Sequence, residues 1–418
     1  MIRKFYIWHY VVFITSAIFI LRFQEVLNSF TLLYYSIVCF FTVENFFINY
    51  YSFSQLDQIL SPIILFAILV LVILKRNRWK FLSSRICFSN AMLIVLIFTF
   101  LLTPLIAPYN PNLQFNLSVS KLLSPFSSKK IGLIVDYSDD NYTPTKIEKY
   151  IHFKSIFERE VVDENYFLAD SIITSNDINI YQRNTEITLP NGSNLKTQNA
   201  LFIFGTDEFG RDIFSRLIYA TRLSLFIGAL AVGITFILGL ILGFISGYFS
   251  KLIDGVLNRF TEMLVSVPTI FLVILFLAMF GNSLMVVIIL LGSAGWMSLF
   301  KIVRGEVISI KNKNFITSSK LIGMSNWKIL INDFLPLLLP SIIVNLVFQF
   351  ANVIIAESAL SFLGLTGNHL YPTWGAMIHQ GQFYLEQAWW IVLLPSIFLI
   401  STLIVIYDFG RKFELKEI

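Results

Sequence analysis

The sequence predicts an all-α protein that crosses a membrane several times. Hydrophobic residues make up 56% of its 418 residues and charged residues only 14%, whereas soluble domains carry about 25% charged residues. The formal net charge of +5 comes from basic residues in short loops beside apolar segments. Membrane topology explains this distribution better than a nucleic-acid partner does, because lysines and arginines collect in cytoplasmic loops.

Residues 1–90 predict about two spans and one interfacial segment. Phe5 to Leu21 follows the basic residues Arg3 and Lys4, and no small-residue cleavage site comes after it. We therefore expect a retained helix rather than a signal peptide. A second apolar segment, Phe30 to Val43, is short for a span.

Basic residues decide how that short segment is interpreted. Leu60 to Leu74 predicts a span that runs into the basic stretch 75–85. The basic N-terminus and this stretch are both expected inside, so an even number of crossings separates them. We therefore place 30–43 at the interface, which predicts eight spans in all, with nine as the alternative. Both chain termini are expected in the cytoplasm.

A long polar region follows the next predicted span, 91–108. Residues 109–203 contain an alternating stretch at Lys130 to Tyr137 and a strand-and-turn pattern at Glu186 to Ser193. Such patterns predict a small, mostly β subdomain on the outer side of the membrane. Two interpretations stay open: contact with an external binding protein, or an insertion with local structure only.

Motifs for catalysis or metal binding do not occur in the sequence. No glycine-rich phosphate-binding loop ending in Gly-Lys-Ser/Thr is found, so we expect no ATP hydrolysis by this chain. The histidines and cysteines are too scattered for a predicted metal site or disulfide framework: His9, His152, His369, His379, Cys39 and Cys87. We expect no cofactor and no metal.

Residues 204–225 combine turn-forming glycines with closely spaced charges. The candidate residues at this outer mouth are Gly205, Thr206, Asp207, Gly210, Arg211, Asp212 and Arg216. Their charges predict a paired network, although on the residues alone a solvated loop is favoured. The whole run closely resembles the signature before the core helices in the C-type permease subunit of dipeptide, oligopeptide and nickel ABC importers, which depend on binding proteins.

The resemblance continues through the predicted core, 204–418. On a helix expected from Leu223 to Phe249, three glycines recur every fourth residue, at 239, 243 and 247. That spacing predicts a small-residue face which another helix can approach closely. Pro268 matches a family position inside the next helix, where we expect it to kink the span.

The loop 301–336 is basic yet carries apolar side chains. It predicts two short amphipathic helices hinged at Gly323, with Ser325 as N-cap of the second. An interfacial helix on anionic headgroups is the simpler alternative. The loop resembles the family's EAA loop, in which the usual Glu-Ala-Ala and His are here replaced. The residues concerned are Phe315, Thr317, Ser318, Ser319, Gly323, Asp333 and Pro336. By resemblance they couple the chain to an ATPase subunit.

Glu357 is an ionisable residue near the end of a predicted span. Such residues are candidates for a transport pathway or gate. A structural interhelical hydrogen bond near the outer interface is the competing interpretation.

The resemblance implies an ABC importer type I transmembrane fold with extra N-terminal spans. It implies a multi-pass permease of the cytoplasmic (inner) membrane that translocates oligopeptides or dipeptides. The implied partners are a homologous second permease, two ATP-binding subunits that hold the ATP, an extracytoplasmic solute-binding protein and membrane lipid. Three alternatives stay open: a permease for nickel or another small solute, an intramembrane sensor or enzyme, and a transporter without ATPases.

Overall fold

The structure is a computed structural model. It describes residues 6–43, 46, 53–75, 87–134, 145–158, 166–174, 178–182, 185–189, 195–367 and 372–417. The predictions on Arg3, Lys4, the basic stretch 76–85 and His369 lie outside these residues. The chain divides into two units, Met1–Arg222 with Gln380–Ile397, and Leu223–His379 with Phe398–Ile418.

The first unit begins with four apolar helices. They are α1 (Ile7–Leu21), α2 (Phe23–Thr42), α3 (Phe53–Lys75) and α4 (Phe88–Leu101). Aliphatic and aromatic side chains of α1, α3 and α4 share a buried cluster that includes Val11, Leu65 and Phe98. The predicted short segment 30–43 is wrong in its bounds, because α2 begins at Phe23 and is 20 residues long.

Between α4 and residue 203 the described residues form three helices and six strands, and the strands form two antiparallel three-stranded sheets. The elements are α5 (Thr103–Ile106), α6 (Leu117–Ser120), β1 (Ser127–Ile134), α7 (Lys146–Glu158), β2 (Tyr166–Ala169), β3 (Ser171–Thr174), β4 (Ile178–Gln182), β5 (Thr185–Leu189) and β6 (Leu195–Phe202). The strand orders are β2-β1-β6 and β3-β4-β5. Ser127 pairs with Phe202. Ile131, Leu168 and Phe202 form part of one buried core.

Long helices dominate the rest of the chain. They are α8 (Ile213–Tyr248), α9 (Lys251–Val265), α10 (Thr269–Phe280), α11 (Leu284–Ile310), α12 (Asn314–Leu321), α13 (Asn326–Ile329), α14 (Leu335–Phe362), α15 (Trp374–Gly381) and α16 (Trp390–Glu417). A short π-helical turn, Leu330–Phe334, precedes α14, and a 3-10 turn, Gln382–Tyr384, follows α15. The helix expected from Leu223 thus begins ten residues earlier, at Ile213.

Pro268 does more than kink a span. It stands between α9 and α10, which meet at an angle of 85°. The expectation of a proline inside one helix is therefore wrong. Proline has no N–H to continue a helix, and its ring clashes with the preceding turn, so the chain starts a new helix after it.

Six described helices are long and apolar enough to cross a membrane: α2, α3, α8, α11, α13 to α14, and α16. The bent pair α9 and α10 makes a seventh if it counts as one span. The apolar helices α1 and α4 are shorter, with 15 and 14 residues. Length and composition alone do not decide between eight and nine spans, so the span count stays a prediction.

The predicted small-residue face of α8 packs against α11. A Cβ atom built on Gly239 would lie 2.7 Å from Leu299 Cβ, and one on Gly243 would lie 2.8 Å from Val303 Cβ. Real Cβ atoms do not approach other atoms so closely. The glycines therefore let the side chains of α11 pack directly on the backbone of α8.

We predict that Gly243→Leu destabilises the second unit by about 1–3 kcal/mol, because the added side chain has no space beside Val303. Gly233→Leu is the matched control on the same helix, since nothing lies within 4 Å of its Cβ position. Melting temperatures of the purified protein in mild detergent measure the difference. Equal melting temperatures for the two variants would contradict this packing.

Candidate functional site

The charged residues Asp207, Arg211 and Arg216 form a buried cluster in the first unit, which we name the latch. Asp207 is 2% exposed. Its carboxylate accepts hydrogen bonds from the backbone N–H groups of Phe209 and Arg211, both at 2.9 Å. Arg211 Nε donates to it at 2.7 Å, and Arg216 Nε lies 3.4 Å away. The predicted network is thus present, but the favoured solvated loop is wrong because these groups are buried.

Thr206 and two glycines fit the latch against the segment before β1. Thr206 Oγ1 donates to the carbonyl of Ser120 and accepts from Leu123 N at 2.8 Å. Gly210 has a φ of +71°, and a Cβ there would lie 2.1 Å from Ser120 Oγ. Only glycine meets both demands, the left-handed backbone and the close contact. Gly205 packs similarly near Leu123.

Asp212 caps the start of α8. Its Oδ2 accepts from Ser215 N at 2.8 Å and from Ser215 Oγ at 2.7 Å. Burial raises the pKa of Asp212 to about 6, although the hydrogen bonds from Ser215 oppose that shift. Arg216 completes the latch by donating to the Gln380 side chain at 3.0 Å. These contacts support a structural role for all seven predicted outer-mouth residues.

A further ion pair joins α3 to α8 and was not predicted. The two terminal guanidinium nitrogens of Arg222, Nη1 and Nη2, contact the carboxylate of Asp57, with Nη2 at 2.8 Å from Oδ1. Paired parallel hydrogen bonds of this kind fix orientation as well as charge. The N-terminal region is thus bonded directly to the first long helix of the predicted core.

The predicted pair of helices around Gly323 is confirmed in the second unit. Gly323 lies between α12 and α13 with a φ of +83°, a conformation that suits glycine. Ser325 is the N-cap residue of α13 as predicted, but its side chain makes no capping hydrogen bond. The loop is shorter than predicted, because α11 continues to Ile310 and so includes 301–310.

One side of this helix pair is apolar and exposed. Phe315, Leu321, Ile322 and Trp327 have exposed fractions of 44, 83, 80 and 60%, and we name these four the coupling surface. Thr317 and Ser318 are exposed beside them, and Ser319 is half-buried. Large apolar side chains exposed together in this way indicate an interaction site.

The opposite side of the pair is anchored in the helix bundle. Ile316 and Ile329 are fully buried and share a cluster with Val303, Phe334 and Leu338. Lys320 Nζ lies 4.4 Å from the centre of the Tyr248 ring. Asp333 lies in the π-helical turn with its Oδ2 buried and without a hydrogen-bond partner, and Pro336 stands in the first turn of α14. Asp333 is half-buried and Pro336 is exposed.

A charge cluster ties together the ends of α8, α9 and α11. Arg304 donates to Asp254 through Nε at 2.5 Å and Nη2 at 2.7 Å. Ser246 Oγ also donates to Asp254, at 2.6 Å. Lys311 Nζ donates to the carbonyl of Gly247 at 2.8 Å. The cluster lies at the end of α11, directly before the helix pair that carries the coupling surface.

A cavity of about 520 Å³ opens between α11 and α14. Its polar lining includes Thr269, Ser298, Lys301, Gln349 and Asn352, and no acidic side chain lines it. Polar groups on apolar helices are costly in a membrane and mark solute paths. The sequence analysis missed this site. Its signal is the spacing of three amides, which puts Asn345, Gln349 and Asn352 on one side of α14.

Glu357 is 1% exposed and bonded by hydroxyl groups. It accepts from Ser361 Oγ at 2.7 Å and, across to α8, from Ser224 Oγ at 3.4 Å. These contacts favour the interhelical structural interpretation over a gate. His379 is also held, because its Nδ1 lies 2.6 Å from the carbonyl oxygen of Phe362.

Comparison with known proteins identifies the class. A family model described as "Binding-protein-dependent transport system inner membrane component" matches residues 239–413. The dipeptide transport system permease protein DppC of Bacillus subtilis is 38% identical over 201 residues, which cover 48% of this chain and 63% of that permease. The match thus spans somewhat less than two thirds of that relative's length.

Two further relatives are covered more fully. The oligopeptide transport system permease protein OppC of Haemophilus influenzae is 35% identical, over 50% of this chain and 67% of its own. The di/tripeptide transport system permease protein DppC of Pseudomonas aeruginosa is 31% identical, over 52% of this chain and 71% of its own. Fold and similarity together define a polytopic α-helical permease. The chain belongs to the family of binding-protein-dependent transport system inner membrane components.

We predict that Asp207→Asn lowers the yield of folded protein, because Arg211 and Arg216 lose their counter-charge in a buried place. Breaking a buried pair in this way costs about 3–5 kcal/mol. Glu208→Gln is the matched control, because it is the same change from acid to amide at the neighbouring residue. One buried oxygen of Glu208 has no hydrogen-bond partner that the change could remove. Size-exclusion profiles of the two variants in detergent measure the effect. An Asp207→Asn profile as sharp as that of the control would refute the latch.

Proposed function

We propose that this chain is a translocation subunit of an importer for short peptides. The single observation that carries the proposal is the similarity to three peptide permeases at 31 to 38% identity. The polar cavity between α11 and α14 supports it, because a peptide needs hydrogen-bonding groups along its path. Oligopeptides and dipeptides are the substrates that we propose.

The energy for transport comes from partner subunits in this proposal. The sequence has no phosphate-binding loop, so ATP is bound and hydrolysed elsewhere. The coupling surface offers a partner four exposed apolar side chains on a rigidly anchored helix pair. Closure of two ATPase subunits against this surface would shift α11 and α14 and so open or close the cavity. A second permease and an extracytoplasmic binding protein complete the complex.

The test of the proposal is purification of the tagged chain from mild detergent, followed by mass spectrometry. A second permease, ATPase subunits and a binding protein are expected to co-purify. Uptake by cells is then measured with radiolabelled di- and tripeptides, and with Ni²⁺ as the competing solute. A chain that purifies alone in several detergents would overturn the importer proposal, and uptake of Ni²⁺ without peptide would overturn the substrate.

We predict that Leu321→Asp and Gly323→Pro abolish peptide uptake and release the ATPase subunits, while membrane insertion continues. Leu321→Asp puts a charge on an apolar contact, and proline cannot adopt the positive φ of Gly323. Asn312→Asp is the matched control, because it adds the same charge at an exposed position before α12. Co-purification and uptake are measured at equal protein levels. Normal uptake by both coupling-surface variants would refute the assignment.

We predict that Gln349→Leu and Asn352→Leu lower uptake about three- to tenfold each, with the ATPase subunits still bound. Each variant removes hydrogen bonds worth about 0.5–1.5 kcal/mol from the path. Gln349→Asn and Asn352→Gln keep the amide and are expected to retain more of the uptake. Equal losses in the leucine and amide variants would indicate a packing defect instead of a polar path.

A further inference from the structure

The two ends of α2 contact the same external region of the chain. At its N-terminal end, Arg22 donates through Nε to the carbonyl of Leu105 at 2.9 Å and through Nη2 to that of Ala107 at 3.1 Å. Leu105 and Ala107 lie directly before the polar region 109–203. The N-terminal end of α2 is therefore fixed where that region begins.

The other end of α2 packs on α7, which belongs to that polar region. Cys39 Sγ lies 3.7 Å from the carbonyl oxygen of Lys146, and Leu32, Cys39 and Tyr150 are all fully buried in one cluster. The Tyr150 hydroxyl also donates to Gln55 Oε1 at 2.6 Å, near the start of α3. The C-terminal half of α2 is thus held by the region 109–203 as well.

These contacts place the two ends of α2 on the same side of the membrane. No apolar segment long enough for a span lies between Ala107 and Lys146. The two contact points are therefore on one side of the membrane, whichever side that is. A crossing helix would separate its ends by the membrane thickness of about 30 Å. Although α2 is long enough to cross, it does not.

The side chains of α2 divide into three faces. The face toward the protein is buried and consists of Val26, Ser29, Leu32, Ser36 and Cys39. The second face is apolar and at least 38% exposed, and consists of Phe23, Leu27, Phe30, Tyr34, Ile37 and Phe41, while Phe40, which is 53% exposed, stands at the C-terminal end of the first face. A third flank follows the same helical spacing and is mostly polar: it carries Gln24, Asn28, Thr31 and Thr42, together with Val38 and with Tyr35, whose ring stacks on Phe153 of α7.

Three faces of this kind suit a helix at a membrane surface. A spanning helix would turn the polar flank toward lipid, whereas an interfacial helix turns it toward water. The mean hydropathy of α2 is 1.3, which is the lowest among the six candidate spans. The mean hydropathies of the other five lie between 2.0 and 2.7. The ring of Phe30 lies 6.3 Å from that of Phe66 on α3, so the helix stays beside the spanning bundle.

We propose that α2 lies in the outer membrane–water interface with both ends outside, its aromatic face against the lipid acyl chains. Together with α7 it fastens the external region 109–203 to the membrane. Lipid therefore covers the aromatic face of α2, in keeping with the enrichment of aromatic residues at membrane–water interfaces. The even count of crossings between the N-terminus and residues 75–85 follows from this placement, as the sequence analysis expected.

The test uses single cysteines in the full-length chain in native membranes. In a background with Cys39→Ser and Cys87→Ser, Gln24→Cys and Thr42→Cys are treated with a membrane-impermeant maleimide from outside. Lys121→Cys in the same background is the marker for that side, and the chain with Cys39→Ser alone, which keeps Cys87 beyond α3 and the basic stretch, is the marker for the other side. Both test positions are expected to react together with Lys121→Cys and before permeabilisation.

Separation of the two ends would overturn the proposal. If one of Gln24→Cys and Thr42→Cys reacts from outside and the other only after permeabilisation, α2 crosses the membrane. Failure of both to react even in permeabilised membranes would also contradict it, because the polar flank would then not face water. None of these outcomes depends on the transported solute or on the ATPase subunits.

A matched pair on α2 tests the lipid contact. A fluorophore attached to Ile37→Cys is expected to be quenched by brominated lipid, and the same fluorophore on Thr31→Cys by aqueous iodide. The difference is expected to be at least twofold in each quencher. The reverse pattern, or equal quenching at the two positions, would refute the assignment of the two faces.

Discussion

The close approach of α8 and α11 is the constraint on which the second unit depends. Three glycines of α8, at 239, 243 and 247, leave no space for side chains against Leu299, Val303 and Val307. This contact brings the ends of the two helices near α9, where Arg304 reaches Asp254. Val303 and Val307 also belong to the buried cluster that holds α12 and α13. In the transport cycle that we propose, this packing would carry a shift of α11 to the coupling surface.

Buried polar residues of two kinds can be distinguished by their hydrogen bonds. Those that are hydrogen-bonded within the protein are structural, and those that line a cavity are candidates for transport. Asp207 and Glu357 are ionisable and buried, yet each accepts several hydrogen bonds, so each stabilises a junction between chain segments. Lys301 and Gln349 instead line a cavity on otherwise apolar helices. A polar side chain there loses stabilisation unless water or a solute meets it. The second pair fits the transport path that we propose, although the first pair is more conspicuous in the sequence.

The residues that match the family model and the residues before them contribute different parts of the structure. The matched residues 239–413 contain the coupling surface, the charge cluster and the polar cavity. The earlier residues contribute apolar helices and a polar region with two small sheets. The helix α7 packs on α2, with which it shares a buried cluster around Tyr150.

Sequence alone determined the membrane class, the family and the short helices around Gly323, because composition, motifs and helical periodicity are local properties of the chain. It also indicated the charged network at Asp207, but not its burial, since burial depends on which distant segment covers a loop. Tertiary structure alone decided that Glu357 is bonded by hydroxyl groups and that Gln349 and Lys301 line one cavity. It likewise decided that α2 keeps both ends on one side, because only contacts between distant residues carry that information.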